Sequence, residues 1–401
     1  MLDGINDISI SEYDYSLPDD KIAKFPKENR SDSKLLISKR AGFLTDCKLS
    51  DIGDYLPFDS LLIFNKTKVL HARLHFKKAT GGAIEIFCLE PAGEEDPQVI
   101  LQSSKTCTWK CLVRGAKKWK GEPLTLELGE LVLVASLKNR LDDSFEICFE
   151  WSEGPSFAEI LLMAGEIPLP PYLNRKAEAS DKKAYQTIFA QNEGSVAAPT
   201  AGLHFTKELM ESFPSKGVST DFITLHVGAG TFKPVQSEKI VDHHMHAELI
   251  DVSINTLFNI IDAFGPIIPV GTTSLRTLES LYWFGVQAHQ GELHNARPEL
   301  DQWYPYQDHP NLSLKESLRA LLSHLDKQGK TRLVAKTQLM IAPGYKFKVA
   351  RGLVTNFHQP KSTLLLIIAA MIGDNWKKMY EHALKHNFRF LSYGDCCFLL
   401  P

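Results

Sequence analysis

The chain has 401 residues, 44% of them hydrophobic and 23% charged, and its formal net charge is −3. This composition is ordinary for a globular protein of two domains, or of one domain with a large insertion. The near-neutral charge excludes a uniformly basic nucleic-acid-binding surface, so any surface of that kind must be a local patch.

The cysteine pattern and the lengths of the apolar runs indicate the cellular compartment in which the protein is expected. The seven cysteines include no CxxC pair and are odd in number, which argues against a disulfide framework. The acidic stretch 1–20 lacks the apolar core of a secretory signal. The most apolar run, 364–372, is far shorter than the roughly 20 residues of a membrane span. We therefore expect a cytoplasmic protein that makes no membrane contact.

The first 150 residues are rich in short β patterns. A short helix is predicted over 19–24, a buried strand over 61–64 and a second strand over 69–76. Further β-like runs, several separated by Gly-Gly or Gly-Glu-Pro turn signals, follow at 83–89, 108–113, 124–128, 131–137 and 145–149. This spacing predicts a small antiparallel β-barrel, residues 77–150, inserted into the chain.

A basic loop lies inside the predicted barrel. Four cations surround Trp119 in this loop: Arg114, Lys117, Lys118 and Lys120. Such a loop is suited to holding phosphates and stacking a nucleic-acid base on the aromatic ring. The alternative is a solvated hairpin loop without a ligand.

After residue 151 predicted helices and strands alternate. The predicted helices are 157–164, 182–191, 207–213, 255–263, 272–284, 314–325, 364–371 and 376–385, and the predicted strands are 218–227, 267–270, 346–355, 388–391 and 396–400. The polar, irregular segment 289–337 is interpreted as an extra insertion. The predicted fold class is a mixed α+β protein of two domains: an α/β body, 1–76 and 151–401, with the inserted antiparallel β-barrel.

The stretch 194–206 joins small residues to a predicted helix start. The small residues, Gly202 among them, allow a backbone or a ligand to approach closely, and Pro199 stiffens the turn. His204 and Thr206 place polar groups at the start of the helix. Because the first N–H groups of a helix lack partners, this geometry favours an anion.

A second segment, 224–232, is a strand that carries His226 and ends in a turn with Gly228 and Gly230. Ligands of α/β sheets gather at such strand ends. The segment lacks the third glycine of the dinucleotide fingerprint, so a simple turn is the alternative.

A third segment, 242–248, places His244, His246 and Glu248 on one face if it is extended. Imidazole and carboxylate groups suit zinc or iron, so a metal site is one interpretation. The other is a polar wall that hydrogen-bonds a ligand or a neighbouring strand. No cysteine or distant HxxxH pattern completes a metal set.

Two later segments repeat the order of strand, polar turn and capped helix. In 271–280, the hydroxyl-bearing helix start and Arg276 together suit a carboxylate; an ordinary N-cap, with Arg276 paired to Glu279 or Ser280 on the helix surface, is the alternative. In 355–363, Asn356, His358 and Lys361 are costly to bury without partners, and a wet surface turn is the alternative.

A last polar turn, 391–395, contains Asp395. This carboxylate is interpreted as a base, as the partner of a cation, or as a turn former that bonds its own backbone.

Taken together these segments resemble the S-adenosylmethionine:tRNA ribosyltransferase-isomerase family of the queuosine pathway. The resemblance runs from Tyr13-Asp14-Tyr15 to Ser392-Tyr393-Gly394-Asp395 and is most specific over 197–206, 224–235, 271–280 and 355–363. It implies an α/β body with an inserted β-barrel. It also implies transfer of the ribosyl unit of S-adenosylmethionine to 7-aminomethyl-7-deazaguanine at the tRNA wobble position, giving epoxyqueuosine, adenine and methionine. S-adenosylmethionine is then a consumed substrate, and we expect no cofactor, no metal and a monomer.

The resemblance also assigns roles to residues. A sulfonium acidifies the neighbouring ribose carbon, so the site needs a base, and departing adenine needs a proton or a hydrogen bond. The candidates for this proton transfer, which the sequence does not rank, are His204, His226, His246, His358 and Asp395. The candidate substrate-binding residues are Thr200, Gly202, Gly228, Gly230, Thr231, Glu248, Thr272, Thr273, Arg276, Asn356, Lys361 and Ser362. The candidate tRNA-binding residues are Arg114, Lys117, Lys118 and Lys120.

The chain also departs from the family pattern. Arg351 stands where the family usually has an Asp before its Thr-Asn-Phe-His segment, and Ala247 replaces the usual Ser. We expect the first change to reverse a charge beside the site. An alternative is therefore a catalytically altered relative that binds tRNA without this turnover, and a metal hydrolase using 243–248 is a further one.

Overall fold

The computed structural model describes residues 5, 7–39, 42–78, 80–93, 97–152, 154–228, 235 and 237–401. Its strands, in chain order, are β1 Lys34–Lys39, β2 Phe43–Lys48, β3 Leu61–Asn65, β4 Thr67–Val69, β5 Arg73–Lys77, β6 Ala83–Pro91, β7 Thr106–Arg114, β8 Leu124–Leu128, β9 Leu131–Arg140, β10 Phe145–Glu150, β11 Asn192–Ser195, β12 Ser219–His226, β13 Glu248–Ser253, β14 Ile267–Pro269, β15 Glu299–Leu300, β16 Arg332–Thr337, β17 Leu353–Asn356 and β18 Cys396–Leu400. Its α-helices are α1 Pro97–Leu101, α2 Phe157–Ala164, α3 Asp181–Ala184, α4 Lys207–Ser212, α5 Ile254–Asp262, α6 Thr272–Gln290, α7 Leu314–Lys327, α8 Thr363–Ile372 and α9 Asn375–Lys385.

Six strands close into an antiparallel barrel in the order β10-β7-β6-β5-β8-β9. Alternation of apolar and polar residues along each strand fills the interior with side chains such as Trp109, Ile86 and Leu133, all fully buried. The mixed fold class with an antiparallel β-barrel is thereby confirmed. The predicted strand 69–76 is divided in two, since β4 pairs with β11 of the body while β5 joins the barrel.

The body is built on a six-stranded sheet in the order β14-β3-β12-β13-β16-β15. Strands β3, β12 and β14 are parallel to one another, so their carboxyl ends meet at one edge. The largest core lies between this sheet and α6, where Leu225 and Ile250 pack with Leu275 and Leu278. This arrangement places polar turns at the edge where ligands of α/β sheets bind.

The segment 289–337 takes part in this sheet. It contributes β15, β16 and α7, and β16 pairs with β13 along its whole length. Leu318, Leu321 and Leu325 of α7 join the core beside α6. The segment is therefore more regular than the sequence suggested. Its status as an extra insertion, like the domain boundaries, stays a prediction.

A four-stranded sheet in the order β17-β18-β1-β2 stands beside the first. Parallel bridges between Val270 and Val354 and between Ile267 and Ala350 bring β17 alongside β14. The turn after β17 consequently opens next to the start of α6, which gives the two strand-turn-helix segments a common location.

Three predicted elements are wrong in extent because long-range contacts override the local pattern. The helix predicted over 182–191 stops at α3, and the side chain of Gln186 instead bonds both backbone groups of Val69. The strand predicted over 346–355 is only β17, because the N–H groups of residues 348–350 donate to the carboxylate of Glu279. The strand predicted over 388–391 reduces to one bridge at Phe390. Among the described helices none is long and apolar enough to cross a membrane.

Candidate active site

A central cleft opens where the carboxyl ends of β14 and β17 meet the loop after β11 and the segment before β13. Its lining residues are Tyr172, 197–201, Val227, His243, Met245, His246, Glu248, 271–273, Arg276, 355–360, 362–364, Leu391 and Ser392. Three segments that lie far apart in the sequence, 197–201, 271–276 and 355–364, therefore form the walls of one cavity.

The start of helix α6 forms one wall of the central cleft. Gly271 has φ +92°, a backbone conformation that favours glycine, and its N–H donates to the carbonyl of Val354 at 2.7 Å. Thr272 and Thr273 follow in the first turn of a 19-residue helix. The first N–H groups and the helix dipole favour a negative group at this wall.

Arg276 and Glu248 form a buried ion pair in the central cleft. Arg276 Nη1 donates to Glu248 Oε2, and the two residues are 8% and 4% exposed. Arg276 Nε is buried and has no hydrogen-bond partner among the described residues. The alternative of a helix-surface pair with Glu279 is wrong, because Glu279 accepts from Tyr345 and from backbone N–H groups. The pair presents one cation and one anion side by side.

A buried hydrogen-bond chain supports another wall of the central cleft. The hydroxyl of Thr200 donates to Asn356 Oδ1 at 2.7 Å, and Asn356 Nδ2 donates to His204 Nε2 at 3.0 Å. Since Nε2 accepts, Nδ1 of the neutral ring carries the proton and faces Ser33 Oγ at 3.1 Å. Thr200 and Asn356 line the central cleft, whereas His204 lies behind them.

His204 and His358 are both held neutral. Burial lowers the pKa of each imidazole to about 3. His358 lines the central cleft, with Nε2 2.9 Å from Thr355 Oγ1. Its backbone is fixed as well, since its N–H donates to the hydroxyl of Tyr380 and its carbonyl accepts from Tyr15. Neither ring is matched to proton transfer near pH 7.

His226 lies outside the central cleft. With Gly228 it lines a lateral cavity between the barrel and the body, and Nδ1 of His226 is 3.0 Å from Thr67 Oγ1. His246 and Val227 line both cavities. Gly230 and Thr231 lie outside the described residues.

Three further predicted site residues do not line the central cleft. Gly202 is buried against Phe189 and Thr187, where a Cβ would approach within 3.1 Å of both side chains. Lys361 has φ +53°, which turns its side chain outward, and its Nζ lies 2.9 Å from Asp14 Oδ2. Ser362, by contrast, lines the cleft and caps α8.

Asp395 is the third of these residues. It is 1% exposed and accepts from the backbone N–H groups of Lys34 and Arg389 at 2.9 and 2.8 Å. Its carboxylate therefore joins two distant segments of backbone, and neither oxygen faces the central cleft.

The expectation that Arg351 places a charge beside the site is wrong. Its guanidinium donates to the carbonyls of Phe347 and Ala350, and it borders a separate cavity with Ser313 and Lys315.

In the basic loop of the barrel the cationic side chains lie at the surface, whereas the indole ring of Trp119 does not. Its cationic side chains are exposed: Arg114, Lys117, Lys118 and Lys120. Trp119 is 1% exposed, and its Nε1–H donates to the carbonyl of Glu122 at 2.7 Å. Stacking of a base on Trp119 is therefore wrong for this structure, because the ring belongs to the barrel core.

The histidine-rich segment does not form a metal cluster. Among the described residues there is no group of three or more His, Cys, Asp or Glu side chains placed to hold a metal ion. Glu248 is buried against Arg276, whereas His244 and His246 are exposed, so the three side chains do not share one face.

Tyr172 and Met245 line the central cleft but are missing from the sequence-based candidates, and His243, which also lines it, was a candidate only in the metal alternative. The Pro-Pro-Tyr connector was the available signal for Tyr172, whose hydroxyl lies 2.6 Å from Ser392 Oγ. Thr355, which contacts His358, begins the marked segment 355–363, whereas Ser33, which contacts His204, carries no motif that marks it in advance.

Comparison with known proteins identifies the family of this chain. The profile of the family described as queuosine biosynthesis protein matches residues 10–399. An S-adenosylmethionine:tRNA ribosyltransferase-isomerase from Trichlorobacter lovleyi is 35% identical over 396 residues, which are 98% of this chain and 99% of that protein. A crystal structure of S-adenosylmethionine tRNA ribosyltransferase from Thermotoga maritima is 28% identical, with a TM-score of 0.47 over 97% of this chain and 100% of its own. The chain therefore belongs to the S-adenosylmethionine:tRNA ribosyltransferase-isomerase family of queuosine biosynthesis, and it is a transferase.

Proposed function

We propose that this protein transfers and isomerises the ribosyl unit of S-adenosylmethionine onto 7-aminomethyl-7-deazaguanine at the wobble position of tRNA. The products are epoxyqueuosine-tRNA, adenine and methionine, and neither a cofactor nor a metal takes part. The observation that carries this proposal is the convergence of 197–201, 271–276 and 355–364 on one cleft, in a chain that belongs to this family.

The amino-acid end of S-adenosylmethionine fits the wall formed by α6 and the buried ion pair. Its carboxylate would lie at the N–H groups of Thr272 and Thr273 and at Arg276, whose Nε is an unused buried donor. Its ammonium and sulfonium would face Glu248. One charge of each sign therefore faces the two charges of the zwitterion, and the polar side chains of Thr200, Asn356 and Ser362 also line the cleft.

We infer that His246 carries the proton. It is exposed and lines both cavities, so it can reach a ligand in either. His204 and His358 are less suited, because a pKa of about 3 makes each a weak base. In the reaction His246 takes the proton from the ribose carbon beside sulfur, and the bonds from the ribosyl unit to adenine and to sulfur break. The amine of the acceptor base bonds to the ribosyl unit and loses a proton, which departing adenine takes up. A new carbon–carbon bond between the carbon that carried sulfur and the carbon that carried adenine closes the carbocycle, and the ring oxygen, released from one of its two carbons, becomes the epoxide oxygen.

The test is incubation of the protein with S-adenosylmethionine and tRNA carrying the aminomethyl base, followed by assay of free adenine and nucleoside mass. Release of adenine with one new nucleoside supports the proposal. tRNA with guanine at the wobble position is the control and should release none. Absence of both products under conditions in which both substrates bind would reject it.

A matched pair of variants tests the assignment of His246. We expect His246→Asn to lower kcat about 100-fold or more, the usual contribution of a general acid–base group. His244→Asn changes an exposed histidine two residues away and should leave kcat unchanged. The alternative of tRNA binding without turnover is based on Arg351 and on the basic loop of the barrel. Arg351 lies outside the central cleft, and the exposed cations of the loop suit tRNA binding with or without turnover.

A further inference from the structure

The lateral cavity is bordered by a straight row of residues across the six-stranded sheet. His226 of β12 pairs with Leu249 of β13, Leu249 pairs with Lys336 of β16, and Lys336 pairs with Glu299 of β15. Residues directly opposite one another on neighbouring strands project from the same face. His226, Leu249 and Lys336 accordingly all line the lateral cavity.

The strand β13 separates the two cavities. Ala247 and Leu249 line the lateral cavity, whereas Glu248 between them lines the central cleft. This is the alternation expected of an extended chain. Since His246 and Val227 border both, a ligand in the lateral cavity lies next to one in the central cleft.

The segment 289–337 supplies two cations to this cavity. The first is Lys336 on β16, and the second is Arg297, which is half-buried. The backbone on both sides of Arg297 is hydrogen-bonded. The N–H of Lys336 donates to the Pro298 carbonyl at 2.9 Å, and Nζ of Lys330 donates to the Ala296 carbonyl at 2.9 Å. Lys336 Nζ is 3.5 Å from Glu299 Oε1, a partly exposed pair. Such pairs contribute little, so a phosphate can replace the carboxylate.

We propose that Arg297 and Lys336 bind backbone phosphates of the RNA strand beside the acceptor nucleotide, which itself occupies the lateral cavity near His226 and His246. This proposal rests on the proposed function. Neighbouring strands lie about 4.8 Å apart, so Lys336 stands roughly 10 Å from His226 along the row. A nucleotide covers that span between its base and its phosphate. The segment 289–337 thus acts as an extension of the tRNA surface.

The barrel forms the facing wall, and it is acidic. Glu90 there is paired with Lys110 at 3.4 Å, and Glu146 accepts from Asn139. Asp143 lines the same wall. Opposite charges on the two walls orient the strand, with its phosphates toward the cations of the body and its hydroxyls and base amine toward the barrel.

The experiment measures tRNA affinity as a function of salt for the full-length protein and for the double variant Arg297→Gln/Lys336→Gln. Lys327→Gln is the matched control, because Lys327 is an exposed cation of the same segment on α7. Two lost single-strand phosphate contacts should lower the salt slope by about 1.4 and weaken binding roughly 10- to 30-fold at about 0.15 M salt. The Kd for S-adenosylmethionine alone should not change.

The outcomes separate the two proposals. An unchanged tRNA Kd and salt slope in the double variant, or an equal effect of Lys327→Gln, would overturn this inference while leaving the reaction in place. Loss of tRNA affinity together with loss of S-adenosylmethionine binding would also overturn it, since that pattern indicates a misfolded protein or a role in the central cleft. If the wild type binds tRNA but shows no turnover, a lowered salt slope still supports the phosphate site and counts only against the reaction.

Discussion

The amide nitrogen of Asn356 lies 3.0 Å from Nε2 of His204, joining two segments 152 residues apart in the chain. Because both groups are buried, this contact fixes the amide so that its oxygen accepts from Thr200 in the central cleft. A histidine without direct access to the ligand thereby determines how a ligand-facing hydroxyl is oriented.

We expect His204→Ala to lower the free energy of unfolding by about 2–4 kcal/mol, since it leaves a cavity and unpaired groups on Asn356 and Ser33. It should also weaken S-adenosylmethionine binding by releasing the amide. Urea unfolding and calorimetric titration measure the two effects. His244→Ala, an exposed change, serves as the control and should shift stability by less than about 0.5 kcal/mol. Equal stability of the two variants would contradict the supporting role of His204.

A pH dependence of stability follows from the same burial. The pKa values of His204 and His358 are lowered to about 3, below the value of about 6.5 in the unfolded chain. As the pH falls, the two histidines are therefore protonated in the unfolded state before they are protonated in the folded state. The contribution of the two neutral rings to the free energy of unfolding is fully present above pH 6.5 and is lost as the pH falls toward 3. When the pH is lowered from 7 to 5, each of the two histidines should lower the free energy of unfolding by about 2 kcal/mol.

Urea unfolding at the two pH values measures the total, and NMR shifts of the ring nitrogens identify the contributors. The second measurement is needed because burial raises the pKa of Glu279, which acts in the opposite sense. Both rings should remain neutral at pH 5 in the folded protein, whereas the histidines of the urea-unfolded chain are protonated there. Protonated rings in the folded state at pH 5 would show that the two imidazoles are not sealed from water.

Variants of the ion pair Arg276–Glu248 should affect the stability of the protein and its binding of S-adenosylmethionine differently. Arg276→Met should lower the free energy of unfolding by about 3–5 kcal/mol, because it leaves the buried carboxylate of Glu248 without its cationic partner. The double variant Arg276→Met/Glu248→Gln removes that charge and should regain most of the stability. S-adenosylmethionine binding should stay lost in both, as isothermal titration would report. A double variant that binds the ligand normally would remove the pair from the proposed site.

The sequence predicted the elements whose patterns are local. The strand β8 matches its predicted bounds, 124–128, at both ends, since its alternation and flanking turns lie within a few residues of one another. The strand predicted over 346–355 failed because the N–H groups of its first half are taken by Glu279, more than sixty residues away in the sequence. Partners at that distance leave no local trace.

In the candidate site, too, local features were predictable from the sequence, whereas features set by distant contacts were not. Segments 271–276 and 355–364 were recognisable as turns between strands and helix starts, and 197–201 was recognisable as small residues before a helix start. All three meet in one cleft. The directions of individual side chains were not recognisable. Lys361 is exposed and its backbone N–H donates to the Tyr13 carbonyl, whereas the carboxylate of Asp395 is buried against the backbone of Lys34. Contacts between distant segments decided both.

The basic loop of the barrel gives a final prediction, in which charge and ring have separate effects. Replacing Lys117, Lys118 and Lys120 by glutamine should weaken tRNA binding and lower its salt slope by about 2–3, because phosphate contacts release counterions. Trp119→Phe should leave tRNA affinity unchanged, since the ring is in the barrel core. It should instead lower the free energy of unfolding by about 1–3 kcal/mol, through the lost bond to the Glu122 carbonyl and the lost volume. Filter binding across a salt series, with unfolding curves for each variant, distinguishes the two effects. Weaker tRNA binding by a stably folded Trp119→Phe protein would mean that the ring leaves the core to stack on a base.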